Sequence, residues 1–148
     1  MVPVTSGREV SRVVALRCLK GMNVALWITA GLLASVALVG GITKTFVPLD
    51  KLSQHEGAAW TRGVNPAFVK TLGILEMLAA VGLILPAVVD VAPTMVPVTA
   101  VCWLALMAGA MITHGRLGQV KLVLVNLVYV ALAGFIVVGR FGPESFTA

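Results

Sequence analysis

Lys44, Glu76, His114 and Asn126 are the residues through which this sequence could do chemistry, because each stands within or at the edge of a long apolar stretch. Glu76 is the most telling. A carboxyl group inside an apolar helix is costly and normally faces the protein interior, where a partner makes it tolerable. Such a set supports two kinds of work: holding the polar head of a quinone, lipid or other small ligand, or relaying protons. The competing reading is structural, with a Glu76–Lys44 or Glu76–His114 pair that only fixes helix register. Asn126 fits a hydrogen bond between helices equally well. His114, beside Gly115 and Arg116, fits a helix end, and His55 fits plain loop.

Other chemistries are excluded. Cys18 and Cys102 are the only cysteines and form no CxxC, which argues against a paired-thiol oxidoreductase. No nucleophile elbow, phosphate-binding glycine loop or HExxH motif occurs. Two histidines are too few and too badly spaced for a haem or metal site. The sequence states no complete catalytic centre.

The elements that must position these residues follow from charge. Of 148 residues, 59% are hydrophobic and 11% charged, against about 25% charged in a soluble domain. An ordinary soluble globule, a disordered regulator and a nucleic-acid module are excluded, despite a net charge of +5. Uncharged runs cover 21–43, 71–89, 91–113 and 122–139, with Glu76 the internal exception. Each is close to the roughly 20 residues that cross the hydrocarbon core as a helix. The absence of two-residue alternation argues against a β-barrel. The expected fold is all-α: an integral membrane four-helix bundle, up-down-up-down, with an amphipathic first loop.

Boundary residues place the helices near 22–43, 66–89, 92–113 and 120–139. Asn65 and Pro66 form a helix start. Pro86 should kink or end the second span, and Pro97 is a candidate kink in the third. Asp90 and Pro93 suit a tight connection. In the loop, Pro48 to Leu52 fits a short helix on the membrane surface with Trp60 as interfacial anchor, or a solvated loop. Residues 1–21 are basic and read as an N-terminal extension, with Met22 an alternative start and the first span retained rather than cleaved as a signal peptide. Residues 144–148 form a C-terminal tail.

Orientation is left open by the loop charges. Lys44, Lys51, Arg62, Lys70, Arg116 and Lys121 flank one side, and Arg8, Arg12, Arg17, Lys20 and Arg140 the other. A conclusion independent of orientation concerns depth. Up-down-up-down order puts the end of the first span, the start of the second, the end of the third and the start of the fourth in one leaflet. Lys44, Glu76, His114 and Asn126 lie on those segments in turn, so intramembrane polarity gathers in one half and the other half reads as almost purely apolar. Lys44 can reach down towards Glu76, or snorkel to the surface. Ala30, Ala34, Ala37 and Gly41 follow 4-3-4 spacing and, with Gly73 and Ala80, make a small-residue helix-packing seam.

Met22-Asn23-Val24-Ala25-Leu26-Trp27, Gly40-Gly41-Ile42-Thr43-Lys44, Gly73-Ile74-Leu75-Glu76, Gly82-Leu83-Ile84-Leu85-Pro86, His114 and Arg140-Phe141-Gly142-Pro143 occur in a recognisable order. Over residues 22–143 the chain resembles the DoxX-like family of small four-helix bacterial membrane proteins. The resemblance implies a multi-pass protein of the bacterial inner membrane. DoxX and DoxD are named for a thiosulfate:quinone oxidoreductase, other relatives are described with oxidative-stress assemblies, and an animal relative acts as a receptor chaperone. Only Lys44, Glu76 and His114 match the motif and inherit an expectation of function. The favoured expectation is a non-catalytic accessory subunit or assembly factor of a larger membrane complex, docking through its seams and long loop. The alternatives are a quinone-linked oxidoreductase subunit and a small-lipophile binding or transport protein. Quinone is the one cofactor considered. Expected partners are the lipid bilayer, other membrane subunits or a second copy of the chain, and no nucleic acid.

Overall fold

The computed structural model describes residues 7–146, and side chains from residue 20 onward. The first helix, α1, runs Gly7–Phe46. A single-turn helix α2 (Leu49–Leu52) and a 3-10 turn (Glu56–Thr61) follow, then α3 (Pro66–Val88), α4 (Met95–Arg116) and α5 (Val120–Phe141). Four segments are long and apolar enough to cross a membrane: Lys20–Phe46 of α1, and the whole of α3, α4 and α5. Their outward faces carry Ile28, Leu32, Leu78 and Val138, all exposed, as suits side chains solvated by lipid rather than water.

The helix ends follow local chemistry. Asn65 caps α3 by accepting from the Ala67 amide at 2.9 Å, and Pro66 takes the first helical position, where no N–H is needed. Pro86 does not end α3. It lies in the last turn, and the helix closes two residues later. The connection is tight, with Asp90 and Ala92 both at positive φ (54° and 49°). The next helix starts at Met95, later than the sequence suggests, and Pro97 therefore falls in its first turn rather than kinking its middle. At the other end of α4, Gly118 has φ 69°, the Gly118 amide donates to Gly115 and the Gln119 amide donates to His114. This is a Schellman closure, which glycine adopts without a Cβ penalty.

One departure concerns the N-terminal third. No break occurs at Met22, because the stretch from Gly7 to Phe46 contains no proline and continues the helix. The structure of residues 1–6, and the side chains of residues 7–19 with Cys18 among them, lie outside the described residues, as do residues 147–148 of the expected tail.

Packing is closest between α1 and α3 and between α4 and α5, with looser contact across the two pairs. The predicted seam lies at the first interface. Ala30, Ala34, Ala37, Gly41, Gly73 and Ala80 are all buried within the bundle, and a Cβ on Gly41 would stand 2.7 Å from the Gly73 carbonyl oxygen. Leu33, Leu83, Trp103 and Ile136 fill the centre.

Candidate functional site

At the loop end of the bundle, Lys44 Nζ donates to both oxygens of Glu76, at 2.9 and 2.8 Å. Of the two pairings the sequence allows, the one with Lys44 forms. Gly40 makes it fit, since a Cβ there would stand 2.9 Å from Glu76 Oε2 and 3.3 Å from Lys44 Nζ. The carboxylate lies against α1, and its side chain is 8% exposed against 21% for Lys44. Lys44 therefore turns inward to its partner rather than snorkelling to the surface.

His114 takes a different partner. Its Nδ1 lies 2.7 Å from Gln119 Oε1, and Gln119 Nε2 donates to the Glu56 carbonyl at 2.7 Å. The amide must donate to that carbonyl, so Oε1 accepts and the neutral imidazole carries its proton on Nδ1, leaving Nε2 as acceptor. The chain reversal at Gly118 brings Gln119 back to His114. Through Glu56 this relay ties the 3-10 turn to the α4–α5 corner.

Asn126, on α5, is nine-tenths buried, yet among the described residues its side chain makes no hydrogen bond. It does not act as the interhelical tie its position suggests. Trp103 Nε1 is also without a partner, although fully enclosed by protein.

All four residues named from the sequence line one cavity of about 1080 Å³. Its roof is the first loop, which contributes Leu52, Ala58, Trp60 and Thr61. Trp60 thus faces the cavity, half-buried, rather than serving as an outward interfacial anchor. The loop is no solvated strap, since Leu52 and Thr61 are buried. The side walls include Leu75 and Leu78 of α3 and Val98 and Cys102 of α4, all of them exposed. The exposed apolar wall of the cavity thus runs along α3 and α4, two of the segments apolar enough to cross a membrane, and the first loop covers one end. The cavity's size is at the upper end of the range for small-molecule sites. Among the described residues no group of three His, Cys, Asp or Glu is placed to hold a metal ion.

A buried cation at the opposite end of the bundle changes the sequence picture of an almost purely apolar second half. Arg140 is 6% exposed. Its Nη2 donates to Asn23 Oδ1 at 2.9 Å and its Nη1 to the Glu144 carbonyl at 3.2 Å. The guanidinium lies over the rings of Phe146 and Trp27, at 4.3 and 5.6 Å from their centroids. Position alone marks Arg140 as a flanking charge, but Gly139 lets α5 approach Leu26 of α1 and draws its neighbour in. Arg140→Lys keeps the charge but loses the planar fork and stacking face. It is expected to destabilise the bundle by about 1–3 kcal/mol, read from the midpoint of SDS-induced unfolding. An unchanged midpoint would contradict a holding role for this cradle.

The sequence model of the DoxX-like family matches residues 28–136, from within α1 to near the end of α5. No curated protein and no solved structure matches the chain.

Proposed function

The chain belongs to the DoxX-like family, and from that premise we propose that it is a membrane-embedded binding protein that takes a small lipophile from the bilayer into the cavity beneath its first loop. It is a multi-pass membrane protein, and the bacterial inner membrane is the setting proposed for it. The observation that carries the reading is the shape and chemistry of one cavity. Its wall along α3 and α4 is apolar and exposed, which suits entry from lipid, while Lys44, Glu76, His114 and Asn126 supply polarity inside it. An amphiphile needs both surfaces.

The accessory-subunit reading rests on a complete bundle without a reaction centre and expects docking through the small-residue seams and the long loop. The seam residues are buried within the bundle, and the cavity is the feature that calls for an occupant. A quinone is one molecule of the proposed class. Redox turnover of a bound quinone would need an electron-supplying partner, and the chain's own residues would then bind and orient it.

Cys102 provides a direct test because it lines the cavity and is exposed. In a Cys18→Ser background, N-phenylmaleimide should alkylate Cys102 in phosphatidylcholine nanodiscs. Alkylation should slow when the nanodiscs contain a total lipid extract of the native membrane. Equal rates with and without the extract would count against an occupied cavity.

A further inference from the structure

The ligand's head can be specified further, on the premise that the cavity is a binding site. Lys44 already donates to both oxygens of Glu76. An anionic head would have to draw Lys44 away and strand the carboxylate, whereas a cationic head would strand Lys44 in the same way. Either exchange leaves a poorly solvated charge without its partner, which is strongly unfavourable. The pair presents a closed, electrically neutral wall.

The His114 imidazole is likewise held by Gln119 through Nδ1. Tyr129 and Trp60 also line the cavity without a hydrogen bond among the described residues, but both are half-buried, and the buried side chain left with full hydrogen-bonding capacity is Asn126. It is nine-tenths buried, lines the cavity, and has no partner among the described residues. Unlike the enclosed indole nitrogen of Trp103, its amide is not sealed off by protein. A buried amide without partners is costly, and an occupant carrying the complementary groups removes that cost. The amide offers two donors and a carbonyl acceptor, so a hydroxyl or carbonyl oxygen satisfies it without bringing a charge. Asn126 stands about 9 Å along α5 from Val120. A head at that depth lies below the loop roof, and a chain can leave past Leu75 and Leu78 into the bilayer.

We propose that the cavity selects a long-chain lipophile with an uncharged hydroxyl or carbonyl head, and that Asn126 is the residue that reads the head. The neutral Lys44–Glu76 wall excludes ions, and Asn126 distinguishes a polar head from plain hydrocarbon.

Three probes with matched chains separate these points: oleyl alcohol, oleate and 9-octadecene, each titrated against the full chain in nanodiscs. The wild type should bind oleyl alcohol roughly tenfold tighter than either other probe, the ratio given by one net hydrogen bond. Asn126→Leu should lower oleyl alcohol affinity to that of 9-octadecene and leave 9-octadecene within about twofold of its wild-type value. A merely structural residue would shift both probes together. Tightest binding of oleate would overturn the neutral-head claim. Equal wild-type binding of alcohol and hydrocarbon, or a preference that survives Asn126→Leu, would overturn the role of Asn126 while leaving the cavity as a site. Saturable binding of none of the three would overturn the binding-protein reading as well. If Asn126→Leu fails to assemble, Asn126→Ala carries the same comparison, and the wild-type ranking alone decides the neutral-head claim.

Discussion

Lys44→Met is expected to destabilise the bundle by about 3–5 kcal/mol, the cost of removing one member of a buried ion pair. The remaining carboxylate of Glu76 is almost wholly enclosed, and among the described residues it has no ion-pair partner other than Lys44. Glu76→Gln should be milder, at about 1–2 kcal/mol. Lys44 is partly exposed and sits in the last turn of α1, so an unpaired ammonium can swing out to the headgroup level. The double change Lys44→Met with Glu76→Leu should recover most of the loss, because well-packed apolar groups often replace a buried pair at little cost. SDS titration of the four proteins checks all three statements. Equal effects of the two single changes would contradict the asymmetry in burial on which the expectation rests.

Gly73→Ala is expected to be the second large effect. Its new Cβ would meet Thr45 Oγ1 at 2.5 Å, the Gly41 carbonyl oxygen at 2.8 Å and Lys44 Cβ at 2.9 Å. Part of that wall is backbone, which cannot rotate away. The helices must separate, at about 1–3 kcal/mol or more for overpacking of this kind. Separation of α1 from α3 also draws Lys44 off Glu76, so ligand binding should weaken together with stability. Gly31→Ala is the matched control. Nothing lies within 4 Å of its would-be Cβ, and alanine favours the helix by up to about 1 kcal/mol. Unfolding midpoints should therefore move in opposite directions. A Gly73→Ala protein as stable as wild type would show that α1 and α3 are not in this close contact.

How much of this was legible in the sequence depends on the range of each interaction. The spans follow from runs without charge, and the level of Lys44 against Glu76 follows from counting residues along two antiparallel helices. The seam follows from alanine and glycine at helical spacing. The pairing of His114 with Gln119 is not legible from spacing alone, because that contact depends on chain reversal at Gly118. The signal was present in the Gly115 to Gln119 stretch, where a glycine after the last helical turn favours a Schellman closure. Arg140 was hidden for a different reason. A basic residue near a span end normally marks topology, and only the approach of α5 to α1 at Gly139 turns it inward. For the same reason the sequence leaves Trp60 open between an interfacial anchor and a solvated loop, and only tertiary packing puts it on the cavity wall. The cavity itself has no local sequence signature, since it is space left between two helix pairs.

The proposed role is tested most directly by mass spectrometry of the intact protein released from its native membrane, beside a variant whose cavity is filled. Ala110 lines the cavity and is half-buried, which makes Ala110→Phe a suitable filler. The wild type should carry one tightly held, uncharged lipophile beyond the surrounding bilayer lipid, and Ala110→Phe of equal stability should have lost it. An equal complement of lipid on both proteins, with no enriched species on the wild type, would contradict a binding function for the cavity.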